Sequence, residues 1–242
     1  MAKTAGILII GSEVLSGKVT DENSPYLVRE LRNLGVDVRR IVTIPDEIPV
    51  IAEVVRDLAR THDLVFTTGG VGPTHDDVTI AAIARAFDRR LVRHPLLEEA
   101  LRRHYGAGIT GAQLRMTDVP EGSRLLGAEE FSLPIVAYEN VFIFPGIPET
   151  LRRKFARIRE QFREAPFVLR RIYLRCDEGE IAADLYRTIE RFPSLQLGSY
   201  PILHNPDHTV LLTLESKRAE EVEQALRLLL ELLPPSLIVR VE

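Results

Sequence analysis

The chain has a single cysteine, Cys176, and no tryptophan. One thiol excludes an internal disulfide, and no Cys/His spacing suggests a zinc site. Long apolar runs are missing too. No stretch approaches the roughly 20 residues that a membrane span requires. Ile7–Ile10 is too short for the apolar core of a secretion signal and reads as a first strand instead. Excess positive charge is also absent: 31 Lys and Arg against 35 Asp and Glu leave a formal charge of −4. That balance gives no basic footprint for nucleic acid. Neither a membrane nor a nucleic acid is an expected partner, and a reduced cytoplasm is the expected setting. What is present is ordinary globular material. The 242 residues, 45% of them hydrophobic, suffice for one large domain or for a medium and a small one.

The most informative stretch is Gly69–Thr79, GGVGPTHDDVT. It follows the apolar run Leu64-Val65-Phe66, which reads as a buried parallel strand. It leads into Val78–Phe87, where Val78, Ala81, Ala82, Ala86 and Phe87 form an apolar face at helical spacing. Strand, glycine loop and helix therefore follow one another. Three glycines let backbone approach a ligand, and a helix start favours an anion. The loop also carries Asp76 and Asp77. Two carboxylates repel a phosphate unless a cation sits between them, which points to a diphosphate or similar anion bound through a divalent metal. Either Asp serves equally well as a helix cap. No Gly-Lys-Ser/Thr follows, so this is not a Walker loop, and the glycine spacing is not that of the dinucleotide fingerprint.

Along the chain, strands are expected at Ala5–Ile10, Val36–Ile44 and Leu64–Thr68. Helices are expected from Ser24-Pro25, with Ser24 as N-cap and Gly35 as closure, and over Glu47–His62, Asp77–Asp88 and Pro95–Tyr105. This alternation implies a parallel sheet with helices on both faces, which binds ligands beyond the carboxyl ends of its strands. The loops at Gly11 and Gly69 both leave such ends. Thr110–Gly122 carries no clear pattern. Short strands are expected over 123–128, Pro134–Tyr138 and Val141–Phe144. Pro148–Phe162 reads as a basic helix whose Arg152, Arg153, Lys154, Arg157 and Arg159 form a solvated face. The pattern changes near Phe162–Pro166. Residues 166–242 then read as β-α-β-β-α-β, the order of a small ferredoxin-like α+β domain. The expected domains are 1–165 and 166–242. His94, His104 and His208 are expected at the surface or pocket edge, and His75 alone sits in the loop, within reach of a substrate.

The first loop, GSEVLSGKVTDEN, adds Gly11, Glu13, Lys18, Asp21 and Asn23 to the same crevice. Glu13 suits a second metal ligand or a base, Lys18 a phosphate contact, and Asp21 or Asn23 a ribose or ring edge. Solvated loop side chains, or turn stabilisation by Asp21 and Asn23, are the plainer readings.

Together these segments resemble the molybdopterin-binding-like family. GSEVLSGKVTDEN is similar to its first-loop pattern, Gly-x-Glu-Leu-Leu-x-Gly-x-x-x-Asp-x-Asn. GGVGPTHDDVT is similar to its signature, Gly-Gly-x-Gly-Pro-Thr-x-Asp-Asp-x-Thr. That long form is shared by the competence/damage-inducible protein A (CinA) group and the N-terminal domain of eukaryotic-type FAD synthases. The Asn-Pro-x-Gly-x-Ala-Pro-Gly segment usual in the CinA group is replaced here by FSLPIVAYENVFIFPGIPE. Asn140–Glu149, Leu197–Pro201 and Leu211–Ser216 are closer to the FAD synthase branch.

The resemblance implies an α/β fold, with a three-layer parallel-sheet domain followed by the ferredoxin-like one. It implies a metal-dependent pyrophosphatase acting on FAD or ADP-ribose. Carried onto this sequence, Gly69, Gly70, Gly72, Pro73, Thr74 and Thr79 hold the phosphates, and Asp76 or Asp77 holds the metal. Asp77 or Glu13 aims the water, and Pro145, Gly146 and Pro148 shape the rim. The implied cofactor is magnesium, manganese or cobalt, with potassium as a further candidate; the implied ligand is a small nucleotide or pterin. The adenylyl-transfer domain of FAD synthases and the amidase domain of full-length CinA proteins are expected to be absent. A homodimer is expected from the apolar Phe155, Ile158 and Phe162 and from the leucine-rich helix Arg218–Leu233. Two other readings stand beside the enzyme: a molybdopterin-handling protein of cofactor synthesis, and a non-catalytic nucleotide sensor.

Overall fold

The computed structural model describes residues 2–127 and 133–242. The chain divides into two compact units, with the break at Glu164/Ala165. The first contains β1 (Thr4–Ile10), α1 (Ser12–Leu15), α2 (Asn23–Asn33), β2 (Asp37–Ile44), α3 (Ile48–Thr61), β3 (Leu64–Thr68) and α4 (Thr79–Ala86). It continues through β4 (Leu91–Arg93), α5 (Pro95–Tyr105), α6 (Gly111–Arg115), β5 (Asp118–Pro120), β6 (Arg124–Leu126), β7 (Ile135–Tyr138), β8 (Val141–Phe144) and α7 (Pro148–Ile158).

Six strands form one sheet in the order β2-β1-β3-β8-β7-β6. β1 and β3 are unbroken apolar runs because helices cover both faces of the sheet. Ile7, Ile9 and Phe66 point into one core with Leu27 of α2 and Phe155 of α7. Leu8, Ile10 and Val65 point into the other with Val55 of α3 and Ala82 of α4. β2, β1, β3 and β8 are parallel, whereas β7 and β6 run antiparallel at the edge. The parallel sheet ends in this antiparallel edge for a simple reason. Only Glu139 and Asn140 separate β7 from β8, too few residues for the crossover that parallel neighbours need. β6 occupies the middle of the strand expected over 123–128, whose last residue lies outside the described residues.

The unread stretch from Thr110 holds α6, opened by a Thr110–Gln113 capping box, and β5, which pairs with β4. The start of α2 is corrected. Helix begins at Asn23, and the cap is the Asp21 carboxylate. It accepts the Asn23 N–H at 2.9 Å, the Ser24 N–H at 3.0 Å and the Ser24 hydroxyl. An ionised carboxylate is the stronger acceptor, so Ser24 donates instead of capping.

Phe66, Phe142, Phe155 and Phe162 form a ring cluster with centroids 4.8 to 6.1 Å apart. Phe155, Ile158 and Phe162 are thus core residues of the first unit. They supply no spare apolar surface for a second chain, which removes that part of the dimer argument.

The second unit contains β9 (Val168–Leu174), α8 (Glu178–Arg191), β10 (Gln196–Pro201), β11 (Val210–Ser216), α9 (Ala219–Leu232) and β12 (Ile238–Val241). Its antiparallel sheet has the order β10-β11-β9-β12, the ferredoxin-like arrangement. α9 packs Val222, Ala225, Leu226 and Leu229 against it. His208 is buried edge-on to Tyr173, at 4.9 Å between ring centroids, and is not the surface or pocket-edge residue expected. Among the described residues no helix is long and apolar enough to cross a membrane.

Candidate functional site

The chain passes from β1 to β2 on one side, and α3 then carries it from β2 back to β3 on the other, so the loops leaving β1 and β3 diverge at a topological switch point. A cavity of about 720 Å³ opens there, within the usual range for small-molecule pockets. The glycine loop forms its floor. Gly69 has φ +104°, and a Cβ on it would stand 3.1 Å from the Ile10 carbonyl carbon and closer still to the oxygen. Gly146 presses on its other side: a Cβ there would lie 3.4 Å from the Gly69 Cα. The close approach of these backbones is what the glycines permit.

The loop is held from within. The buried Thr79 hydroxyl donates to the Gly69 carbonyl at 2.8 Å, and the Thr79 N–H donates to the Gly70 carbonyl at 3.0 Å. The first N–H of α4 is therefore taken by the loop itself. One Asp77 oxygen accepts the Thr74 N–H at 2.8 Å and the Thr74 hydroxyl. A Cβ on Gly72 would sit 2.6 Å from that same oxygen, so this glycine makes room for the carboxylate. Asp76 lies on the exposed side of the same turn, 3.9 Å from the exposed His75 ring. The Thr74 hydroxyl, then its own backbone N–H, lowers its carboxyl pKa.

Of the residues expected at the site, Glu13, Gly69, Gly70, Gly72, Pro73, Asp77, Pro145 and Gly146 line the cavity. Gly11, Lys18, Asp21, Asn23, Thr74, Asp76, Thr79 and Pro148 stand behind or beside that lining. Several of these brace it. Asn23 is buried and its amide donates to the Thr68 hydroxyl at 2.9 Å and the Gly146 carbonyl at 2.7 Å. The Thr68 hydroxyl donates to the Pro145 carbonyl at 3.0 Å. Asn23 thus ties α2 to both the β3 and β8 loops. Lys18 is exposed, and its N–H donates to the Glu13 carbonyl at 3.0 Å.

Two features escaped the sequence. The first is Asp46, after β2, whose carboxylate accepts the Ser12 N–H at 2.8 Å and the Ser12 hydroxyl at 2.9 Å. Its other oxygen would be 3.6 Å from a Cβ on Gly70. The second is a cationic wall. Arg153, Lys154 and Arg157 of α7 line the cavity with Thr150; Arg153 and Arg157 are exposed, as a solvated face requires, and Lys154 alone of the three is partly buried. These positions recur at i, i+3, i+4 and i+7, one stripe beside the buried Leu151-Phe155-Ile158 stripe. That spacing was the available signal. Arg152 and Arg159 lie on another flank, paired with Glu22 at 2.8 Å and Glu30 at 2.5 Å. The Lys154 ammonium donates to the Leu133 carbonyl at 2.6 Å. Burial, and secondarily the Arg153 charge, pulls its pKa down from 10.5 to about 8.

Among the described residues no group of three or more His, Cys, Asp or Glu gathers as a metal site. The donor set does not form an all-protein cage. Glu13 and Asp77 do fit a magnesium-like ion of another kind, one held by one or two carboxylates together with the substrate's phosphates.

The comparisons fall on both units. Residues 6–164 match the family described as probable molybdopterin binding domain, and residues 166–242 match the FAD synthase middle domain. A protein of Archaeoglobus fulgidus is 34% identical over 227 residues, covering 94% of this chain and 96% of that protein. A probable FAD synthase of Caenorhabditis elegans is 32% identical over 259 residues, covering 96% of this chain; the chain spans 50% of that relative's length. The solved structure of CinA from Thermoplasma acidophilum, described as of unknown function, is 25% identical with a TM-score of 0.62, covering 67% of this chain and 100% of that one. The chain therefore belongs to the molybdopterin-binding-domain family, in the form in which that domain is joined to an FAD synthase middle domain.

Proposed function

We propose that the first unit hydrolyses the phosphoanhydride of a nucleotide diphosphate, FAD or ADP-ribose, to AMP and a phosphorylated partner. The observation that carries this reading is the meeting of a glycine floor, the Glu13 and Asp77 carboxylates and a cationic wall in one cavity. Backbone at Gly69–Gly72 comes close to the diphosphate, and Asp77 is held ready by Thr74. A divalent ion, when bound with the substrate, neutralises the phosphates and lowers the pKa of a water. Glu13 accepts a proton from the attacking water. The water oxygen forms a bond to the AMP phosphorus, the bridging P–O bond breaks, and the leaving phosphate keeps the bridging oxygen. Asp76, outside the cavity lining, serves the loop rather than the metal.

A second reading has one observation in its favour. The family matched by residues 6–164 is described as a probable molybdopterin binding domain, so a pterin ligand remains a rival occupant. Incubation of the chain with FAD, ADP-ribose and adenylylated molybdopterin, each with magnesium, manganese or cobalt and with or without potassium, separates the two. AMP release from FAD or ADP-ribose supports the hydrolase. Tight pterin binding without AMP release from either nucleotide overturns it, and nucleotide binding without turnover leaves a sensor.

A homodimer is part of the same proposal. Its support is now the exposed apolar side chains of either unit, such as Leu96 and Ile147 in the first and Tyr186, Ile189 and Leu203 in the second. Light scattering is expected to return twice the chain mass, and the mass of one chain at micromolar concentration refutes it.

A further inference from the structure

Resting on the nucleotide reading of this cavity, we propose that Ile80 and Met116 are its specificity-determining residues, two walls of an apolar slot that takes an uncharged planar ring of the ligand. The strand register places the slot. Thr67 of β3 stands beside Ile143 of β8, and Ile143 beside Val136 of β7. Thr67 lies two residues before Gly69, so this row runs just beneath the glycine floor. Ile143 and Val136 belong to the core on the α4 face of the sheet, with Leu97 of α5. Val71 in the glycine loop and Ile80, which follows Thr79, are half-buried and pack against that same core. All five side chains line the cavity.

The remaining wall comes from a chain excursion. Between α4 and β6 the chain leaves the large sheet, runs through β4, α5 and α6, and returns along β5, paired with β4. Arg90 and Glu121 close its stem with contacts of 2.9 and 2.5 Å, and Arg93 and Asp118 add one of 3.2 Å. Met116 sits at the return, where the carbonyl of the next residue, Thr117, accepts the His94 N–H at 2.9 Å. Met116 is half-buried and lines the same cavity. The proposed hydrolysis leaves these apolar residues without a task, since the diphosphate and its metal use the glycine floor, Glu13 and Asp77. An uncharged ring is what a nucleotide carries beyond its phosphates. Its faces leave water against Ile80 and Val71, and the Met116 thioether makes favourable contacts with aromatic rings. A bare sugar loses hydrogen bonds in such a slot.

The test is titration calorimetry on the full chain with magnesium. The probes are FAD and ADP-ribose analogues whose bridging oxygen is a methylene, so that neither is hydrolysed, and methylenediphosphonate, which has no ring. Met116→Gln keeps the length of the side chain but not its apolarity. It is expected to weaken the FAD analogue about tenfold and to leave methylenediphosphonate unchanged. Ile80→Thr acts in the same direction, and Met116→Leu keeps most of the affinity. Weakening confined to the FAD analogue puts the flavin in the slot, and equal weakening of both analogues puts adenine there. If both analogues bind the Gln and Thr variants within about twofold of the native chain, or if methylenediphosphonate weakens equally, the slot is refuted. Failure of the native chain to bind either analogue overturns the nucleotide reading and the slot with it. AMP release from FAD and ADP-ribose is measured separately, so failure of the hydrolase reading is seen apart from failure of the slot.

Discussion

Replacing Gly69 with Ala is the sharpest test of the floor geometry. Two costs combine. A φ of +104° is a backbone conformation that L side chains avoid, costing about 1 to 3 kcal/mol. The new methyl also strikes the Ile10 carbonyl at the end of β1, and Gly146 closes the opposite side, so neither backbone can yield without disturbing the sheet. We expect a total loss of about 3 to 4 kcal/mol, near the upper end for single substitutions. For a unit of this size that lowers the melting temperature by about 6 to 15 °C. Gly17→Ala is the control. Gly17 also has positive φ, +71°, but nothing lies within 4 Å of its Cβ position. Its loss should stay near 1 kcal/mol, because the strain of the left-handed conformation is the only cost. Thermal and urea unfolding of the two variants beside the native chain isolate the contact term. If Gly69→Ala lies within 1 kcal/mol of Gly17→Ala, the close packing of Ile10, Gly69 and Gly146 is refuted.

Asp77→Asn should cut AMP release by about 100-fold or more while leaving the melting temperature nearly unchanged, since the amide oxygen still accepts the Thr74 donors; normal turnover rejects Asp77 as a working carboxylate. Asn23→Ala removes donors to Thr68 and Gly146 and strands a buried carbonyl, so about 1 to 3 kcal/mol of stability should go, read by urea unfolding. Lys154 gives a pH signature. Its folded pKa of about 8 lies below the ordinary 10.5, so the penalty for burying its charge is full below pH 8 and fades as pH rises toward 10.5. Lys154→Met should therefore be more stable than the native chain at pH 7 by about 2 to 3 kcal/mol, with the difference shrinking by pH 10.5; a pH-independent difference rejects the buried ammonium.

Elements whose signal is local were legible in the sequence. β1, β3 and the glycine loop announce themselves through unbroken apolar runs and loop residues, because a doubly covered sheet leaves little choice of residue. The ferredoxin-like order was visible for the same reason: each strand and helix carries its own periodicity. The antiparallel edge was not legible, because Pro134–Tyr138 and Val141–Phe144 are apolar in either orientation and only the length of the turn decides. Of the site, residues that must be glycine were found. Residues that act from a distance were not. Asp46 is an ordinary acid after a strand until the fold places it beside Gly70. Arg153 and Arg157 are solvated charge as read, but that their stripe borders the cavity is seen only once Leu151-Phe155-Ile158 is found to face the sheet. Asn23 was read toward a ligand or toward stabilising its turn, and its amide braces Thr68 and Gly146 across the fold, a role that no local signal announces.

α7 is clamped at both ends, by Gly146 against Gly69 and by Phe162 within the ring cluster of Phe66, Phe142 and Phe155. The width of the cavity is therefore gauged by aromatic rings that no ligand touches. A library that varies only the lining residues would leave this gauge untouched. Changing Phe142 or Phe162 in size would re-aim the whole flank at once, so altered substrate preference should be sought among core variants that still fold as well as at the cavity wall.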